Sequence, residues 1–129
     1  MNFKRTELEK FRSFEGLLID VRSPSEYYKG HMPNSINIPL FDNEERSNVG
    51  ITYKNNGREK AVIEGLKIID KKLDKLLNNF IECINSHKKK KLDVDMNEQT
   101  IRIYCARGGM RSQSISWLLE KFKYKTLSL

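Results

Sequence analysis

The sequence predicts an α/β domain with a central parallel sheet, because short apolar stretches typical of strands alternate with segments of helical periodicity. Residues 17–21 and 101–104 are two such stretches, rich in β-branched side chains. Between them, apolar residues recur at steps of three or four from about residue 58 to residue 86. A chain of 129 residues has the size of one domain, so we expect a single domain over 1–129.

The composition is that of a water-soluble protein, and its positive charge is compatible with an anionic partner. The chain has 38% hydrophobic and 32% charged residues, with a formal net charge of +7. This charge is compatible with tRNA, small phosphate-like ions or an acidic membrane surface as the partner. No apolar run is long enough to span a bilayer, and no apolar core follows the charged N-terminal residues. We therefore expect a cytoplasmic protein that binds no membrane.

The first predicted strand, residues 17–21, is followed by a short helix. The helix has a serine N-cap, a proline at its first position, a glutamate that completes a capping box and a glycine that ends it: Ser23, Pro24, Glu26 and Gly30. Residues 31–34 then predict a turn, and residues 35–38 predict a second short strand before Pro39.

The periodic segment from 58 to 86 predicts one long amphipathic helix or two helices in series. Its apolar stripe consists of Val62, Leu66, Ile69, Leu73, Leu76, Phe80 and Ile84. Cys83 lies at the edge of this stripe, so we interpret it as a half-buried structural thiol and assign it no role. Residues 87–99 are polar and predict a loop, in which the lysine run 88–91 is exposed to solvent.

Residues 101–104 alternate in polarity and predict a strand that ends at Cys105. The pattern of residues 112–122 predicts the following helix, and residues 126–129 resemble the beginning of a further strand. In parallel sheets, ligands bind at the carboxyl ends of the strands. This places Arg22 and Cys105 at the expected binding edge.

The segment after that strand has the features of an anion-binding loop around a cysteine nucleophile: Cys105, Ala106, Arg107, Gly108, Gly109, Met110 and Arg111. At a strand-to-helix junction, backbone N–H groups and the helix dipole stabilise a thiolate. Two glycines allow the backbone to curl, and two arginines supply positive charge. A buried structural cysteine beside a glycine turn is the alternative interpretation.

Three further residues are possible supporting members of the site. Asp20 and Arg22 predict either a structural ion pair or, for Arg22, an anion-binding role. His31 either orders the turn after the short helix or takes part in acid–base chemistry. The two cysteines and two histidines lack metal-ligand spacing, so we expect no metal site.

Two segments together resemble the rhodanese family: residues 20–39, with Asp-Val-Arg-Ser-Pro-Ser-Glu-Tyr and Gly-His-Met-Pro-Asn, and the Cys105 loop. The resemblance implies a rhodanese-like fold, a central parallel sheet with α-helices on both faces, and a cysteine that cycles through a persulfide-type intermediate. Five residues separate Cys105 from Arg111, one more than in the commonest rhodanese loop. This Cys-x5-Arg spacing also occurs in rhodanese-related cysteine phosphatases.

Three longer strings, residues 39–50, 52–57 and 105–114, are similar to the rhodanese domain of the tRNA 2-selenouridine synthase family. The resemblance implies replacement of sulfur by selenium in wobble 2-thiouridine of tRNA, with selenophosphate as donor and no bound cofactor. The resemblance also implies that Cys105 is the catalytic residue and that residues 106–111 bind the donor. The family continues into a P-loop domain, whereas this sequence contains no G-x-x-x-x-G-K-[ST] string. We therefore expect the chain to be the N-terminal part of a longer protein.

Three alternatives remain open from the sequence. The chain could be a generic rhodanese sulfurtransferase or persulfide carrier, as the wider family match implies. The loop spacing alone is also compatible with a Cys-x5-Arg phosphatase, although no acid for the leaving group is evident near the loop. A non-catalytic binding module would require Cys105 to have ordinary thiol reactivity.

Overall fold

A computed structural model of the protein describes residues 8–90, 100–106 and 110–129. Helices and strands alternate along the chain, as the sequence predicts. The elements are α1 (Leu8–Ser13), β1 (Leu18–Asp20), α2 (Pro24–Lys29), β2 (Ile36–Asn37), α3 (Asn43–Asn56), α4 (Arg58–Lys90), β3 (Ile101–Tyr104), α5 (Arg111–Lys121) and β4 (Thr126–Ser128).

Within the described residues, the strands form a four-stranded sheet in the order β2-β1-β3-β4, and every pair of neighbours is parallel. In the central pair, Ile19 lies opposite Ile103. Strand β4 extends this sheet, because it pairs with β3 and Leu129 donates its N–H to the Ile103 carbonyl at 3.1 Å. The predicted parallel sheet and its last strand are both confirmed.

Helices cover both faces of this sheet, as predicted. On one face, Ile19 and Ile103 belong to the main core together with Phe80 of α4 and Leu119 of α5. On the other face, Leu18 and Tyr104 pack with Phe11 of α1. Alternation along each strand explains the division, since successive side chains point to opposite faces. Among the described helices, none is sufficiently long and apolar to cross a membrane.

The predicted capping box at the start of α2 is present. The Ser23 hydroxyl accepts the Glu26 N–H, while the Glu26 carboxylate accepts the Ser23 N–H at 3.2 Å. Gly30 ends the helix, and its N–H donates to the Tyr27 carbonyl. Local sequence therefore determines where the chain leaves β1 and how it turns toward β2.

Helix α3 has no counterpart among the predicted elements, although a capping box marks its beginning. Asp42 is the N-cap and Glu45 is its partner three residues later. Gly57, with φ of 92°, forms the tight connection from α3 to α4, in a conformation that side chains disfavour. A hydrogen bond from Thr52 to Glu64 and an ion pair of 2.5 Å between Lys72 and Glu45 then hold α3 against α4.

The sequence predicted either one long helix or two helices in series over residues 58–86. The structure has one helix, α4, which continues from Arg58 to Lys90 with a kink at Lys72. Lys72 has φ of −126° and ψ of 16°, outside the helical region. The predicted loop over 87–99 is wrong for residues 87–90, which extend the helix, since Lys and His residues are acceptable helix formers near a C-terminus. The rest of that prediction, residues 91–99, lies outside the described residues.

Candidate active site

Cys105 follows the last residue of β3 and faces the beginning of α5. Its Sγ accepts the backbone N–H of Ser112 at 3.4 Å and lies 3.2 Å from the Ser112 hydroxyl oxygen. Ser112 is fully buried, and its hydroxyl donates a hydrogen bond to the Leu129 carbonyl oxygen at 3.1 Å. The N-terminus of α5 thus directs an N–H group and the positive end of the helix dipole toward the sulfur.

The thiol is only partly buried, so reagents can reach it. As a neutral thiol it donates to the carbonyl of Ala106 at 3.4 Å. Of the predicted loop, the structure describes Ala106, Met110 and Arg111, whereas residues 107–109 lie outside the described residues. The described ends of the loop adjoin two elements: Ala106 lies two residues after the end of β3, and Arg111 begins α5.

Arg111, predicted to bind an anion, forms a two-point ion pair with Glu26 of α2. The distances are 2.7 Å from Nη1 to Oε1 and 3.1 Å from Nη2 to Oε2. The arginine side chain is 11% exposed. A bidentate pair of this kind fixes the orientation of the guanidinium group. The carboxylate of Glu26 therefore determines where the positive charge at the base of the loop is placed.

Glu26 connects three parts of the site. It caps α2 through Ser23, binds Arg111, and lies 3.6 Å from Nε of Arg46 on α3. Burial alone would raise the pKa of Glu26, but the hydrogen bonds and charge of Arg111, assisted by Ser23, lower it to about 2. Glu26 is thus ionised at neutral pH. The sequence indicated its capping role and did not indicate its contact with the loop.

Asp20 and Arg22 form the structural ion pair that the sequence offered as one interpretation. Arg22 Nη2 is 2.7 Å from Oδ2 of Asp20, whose side chain is fully buried, and it also donates to the Gly30 carbonyl at 2.6 Å. The hydrogen bond to Asp20 is the main cause of a raised pKa for Arg22, against the opposing effect of burial. Arg22 therefore joins the end of β1 to the turn after α2.

His31 is exposed and contacts the helix that it follows. Its ring stacks on Tyr27 with centroids 3.6 Å apart, and Nδ1 lies 2.8 Å from the Tyr27 carbonyl oxygen. These contacts match the turn-ordering interpretation. The next residue, Met32, donates its N–H to the Tyr104 hydroxyl at 2.9 Å, which ties this turn to β3.

A cavity of about 530 Å³ lies beside the described ends of the loop. Its walls come from the segment before α3, from α3 and α4, and from the loop ends with the first turn of α5. They include Leu40, Phe41, Arg46, Val49, Gly50, Tyr53, Arg58, Ala61, Val62, Gly65, Leu66, Ile69, Ala106, Met110, Arg111 and Ser114. We call this cavity the α3–α4 groove. Within this lining, Arg58 Nη2 lies 2.9 Å from the sulfur of Met110.

Sequence reasoning missed Arg46 and Arg58 as members of this site, because it assigned no helix to residues 43–56. The capping box at Asp42 and Glu45 was the local signal that could have identified α3. Gly65 helps to shape the groove, since a Cβ there would come within 3.2 Å of the Phe41 ring.

Cys83 lies away from this chemistry. It is partly buried against the main core, and burial raises the pKa of its thiol. Among the described residues, no group of three or more His, Cys, Asp or Glu side chains is placed to hold a metal ion.

Comparison with known proteins identifies a family model and several relatives. The model of the rhodanese-like domain matches residues 4–129. A tRNA 2-selenouridine synthase of Nitrosomonas eutropha is 38% identical over 91% of this chain and 28% of its own length. The corresponding protein of Proteus mirabilis is 39% identical over 80% of this chain and 26% of its own length. The chain thus spans about a quarter of the length of these curated relatives.

A solved structure supports the same fold. The N-terminal domain of a Clostridium difficile 630 protein, described as ATP/GTP binding, superposes with a TM-score of 0.79 at 34% identity. The alignment covers 98% of this chain and 90% of that domain. Together, the family model and this structure confirm the predicted rhodanese-like α/β fold.

Proposed function

Because this chain belongs to the rhodanese-like domain family, we propose that it is the domain of a tRNA 2-selenouridine synthase in which Cys105 acts as the nucleophile. The substrates are tRNA carrying 2-thiouridine and the donor selenophosphate. The reaction replaces the sulfur of the base by selenium. A tRNA substrate implies a cytoplasmic location.

One observation carries this proposal more than any other. The relatives named tRNA 2-selenouridine synthase are 34–39% identical over 78–91% of this chain, so the likeness extends well beyond the general rhodanese motifs. The site geometry is compatible with it, because Cys105 is accessible and has a helix N-terminus at its sulfur. The net charge of +7 favours a polyanionic substrate.

The exchange needs no oxidant or reductant, because selenium enters and sulfur leaves at the same oxidation level. The Cys105 thiolate adds to C2 of the 2-thiouracil ring, and sulfur leaves as hydrogen sulfide ion with the proton of N3. The selenium of selenophosphate then bonds to C2 and displaces the thiolate. Water finally cleaves the phosphorus–selenium bond, which releases phosphate and returns a proton to N3.

The surrounding groups have distinct tasks in this proposal. The Ser112 N–H and the dipole of α5 stabilise the thiolate, both before attack and when Cys105 leaves C2. Arg111, held by Glu26, and the rest of the 106–111 loop bind the phosphate part of the donor. Asp20 and Arg22 support the strand end and the adjacent turn without touching the substrates.

The proposal is tested by selenium incorporation into 2-thiouridine tRNA, measured by mass spectrometry of the digested nucleosides after incubation with selenophosphate. Because the match covers only 26% of the Proteus mirabilis enzyme, the assay includes a chimera in which this chain replaces the matching segment of that enzyme. Selenium-containing uridine is expected with the chimera. A folded chimera that produces none contradicts the proposal.

A generic sulfurtransferase is the second candidate, favoured by the match of residues 4–129 to the rhodanese-like family. It predicts a persulfide on Cys105 after treatment with thiosulfate, and conversion of cyanide to thiocyanate. If the protein turns over thiosulfate rapidly and leaves thiolated tRNA unchanged, this second candidate replaces the first.

A further inference from the structure

We propose that the α3–α4 groove binds the 2-thiouracil nucleoside itself, turned out of the anticodon, with the neighbouring phosphates at Arg46 and Arg58. This inference rests on the proposed function, which requires C2 of the base to reach Cys105. Enzymes that act on a base generally remove it from its stack and hold it in a pocket. The groove is the described cavity that borders the reactive loop.

The position of the groove fits this task. Ala106, the residue next to Cys105, and Met110, the N-cap of α5, both form part of its wall. Arg111 and Ser114 of the first turn of α5 continue the same wall. A ring bound there lies beside the loop whose cysteine must contact C2. Its volume of about 530 Å³ is within the usual range for small-ligand sites, roughly 300–1,000 Å³.

The walls suit a flat and largely neutral ring. Val49, Leu66 and Ile69 supply aliphatic surface, and Tyr53 supplies an aromatic face. Tyr53 and Leu66 remain 58% and 60% exposed, so these surfaces are available to a ligand. Bases that are unstacked in RNA are commonly bound by aromatic and apolar side chains of this kind.

The charges at the groove favour a nucleotide over a purely apolar ligand. Arg46, Arg58 and Arg111 all contribute to its lining, and no described lining residue is a carboxylate. Guanidinium groups bind phosphate oxygens in two-point hydrogen bonds. Glu26 pairs closely with Arg111 and more loosely, at 3.6 Å, with Arg46, whose side chain is 41% exposed. Arg46 and Arg58, on α3 and α4, are therefore the groups more accessible to an incoming RNA backbone. An alkyl chain would gain nothing from these three cations.

Leu66→Glu and Ile63→Glu form a matched pair of variants for testing the groove. Both residues are on α4 and similarly exposed, at 60% and 53%, but Leu66 lines the groove and Ile63 does not. The probe is an anticodon stem-loop RNA with 2-thiouridine at the wobble position, and binding is measured by fluorescence anisotropy. We expect Leu66→Glu to weaken binding about tenfold and Ile63→Glu to change it less than about twofold.

A second probe separates binding of the base from binding of the backbone. The same RNA with an abasic wobble position should bind wild-type protein about tenfold more weakly, whereas Leu66→Glu should bind both RNAs equally. Tyr53→Ala should likewise bind the two RNAs equally. Its control is Tyr28→Ala, at a tyrosine that is 90% exposed and outside the groove, which should behave like wild-type protein. The rate of Cys105 alkylation reports whether each variant retains the folded site.

The outcomes distinguish this inference from the proposed function. Equal binding by Leu66→Glu and Ile63→Glu, or equal binding of the abasic RNA by wild-type protein, overturns the groove as the base site even if selenium transfer occurs. No detectable RNA binding by wild-type protein overturns it as well. Base-dependent binding that requires Leu66, without any selenium incorporation, supports the groove and contradicts the proposed function.

Discussion

The two sides of Cys105 differ in how much of their surface is already occupied. Toward α5, the sulfur meets buried Ser112, and Arg111 is paired with Glu26. Toward α3 and α4, the loop borders an open groove with exposed apolar side chains and arginines. The difference is compatible with a division of work in the proposed reaction: the sheet and α5 position Cys105, whereas the segment between β2 and α4 is available for recognition.

The largest expected effect concerns the stability of the core between α4 and the sheet. Phe80 is fully buried in the core between α4 and the sheet. Replacement by alanine leaves a cavity, so Phe80→Ala should lower the free energy of unfolding by about 3–5 kcal/mol. Urea denaturation measures this change. Leu66→Ala, on the groove side of the same helix, should cost less than about 1 kcal/mol. Equal losses would show that the groove is as important to the fold as the core.

The next effect tests whether the α5 side positions the chemistry. Glu26→Gln removes the charge that holds Arg111, so turnover should fall about 10- to 100-fold. Glu26 pairs closely with Arg111 and only loosely with Arg46, so the KM for selenophosphate should rise by a larger factor than the Kd for 2-thiouridine RNA. Glu59→Gln, at an exposed position on α4, is the control. A loss of RNA affinity as large as the rise in the KM for selenophosphate would contradict the division of work.

The same variant predicts a pH dependence of stability. The pKa of Glu26 is lowered to about 2 in the folded protein, from an ordinary value near 4.5. The folded state therefore gains stability from ionised Glu26 above the ordinary pKa and loses it as the pH falls toward 2. The difference in unfolding free energy between wild-type protein and Glu26→Gln should be constant above about pH 5 and should shrink below it. A difference that does not change from pH 7 to pH 3 would exclude this ion pair as its source.

A smaller effect is expected at Ser112. Ser112→Ala removes the hydroxyl beside Sγ, which also donates to the Leu129 carbonyl, and keeps the backbone N–H that donates to the sulfur. Alkylation of Cys105 by iodoacetamide should slow by no more than about tenfold, the value of one hydrogen bond. Ser114→Ala, whose hydroxyl donates to the Arg111 carbonyl, should leave the rate unchanged. If Ser114→Ala slowed the alkylation of Cys105 more than Ser112→Ala did, the stabilising contact would lie on the groove side of the sulfur.

The sequence predicted those parts of the molecule whose signals are local. The strands before Arg22 and Cys105, and the capping box of Ser23 and Glu26, depend on residues within a few positions of one another. The contact of Glu26 with Arg111 joins residues that are 85 positions apart, so no local pattern could show it. The kink at Lys72 likewise could not be predicted from a proline or glycine at that position. Lys72 instead forms an ion pair with Glu45 of α3.

The groove shows the same limit in another form. Arg46 and Arg58 become neighbours of the loop only because α3 and α4 fold beside it. Their roles follow from tertiary packing, although the capping box at Asp42 would have been sufficient to predict α3 itself. The family resemblance predicted the reactive cysteine, and the structure adds the groove beside it.

The most direct test of the account compares the two cysteines in selenium transfer. Cys105→Ser and Cys83→Ser each replace one thiol, but Cys83 is packed against the core and burial raises its pKa. With selenophosphate and 2-thiouridine tRNA, the chimera carrying Cys83→Ser should incorporate selenium at the wild-type rate, and the chimera carrying Cys105→Ser should incorporate none above background. Equal incorporation by the two variants would contradict the assignment of Cys105 as the nucleophile.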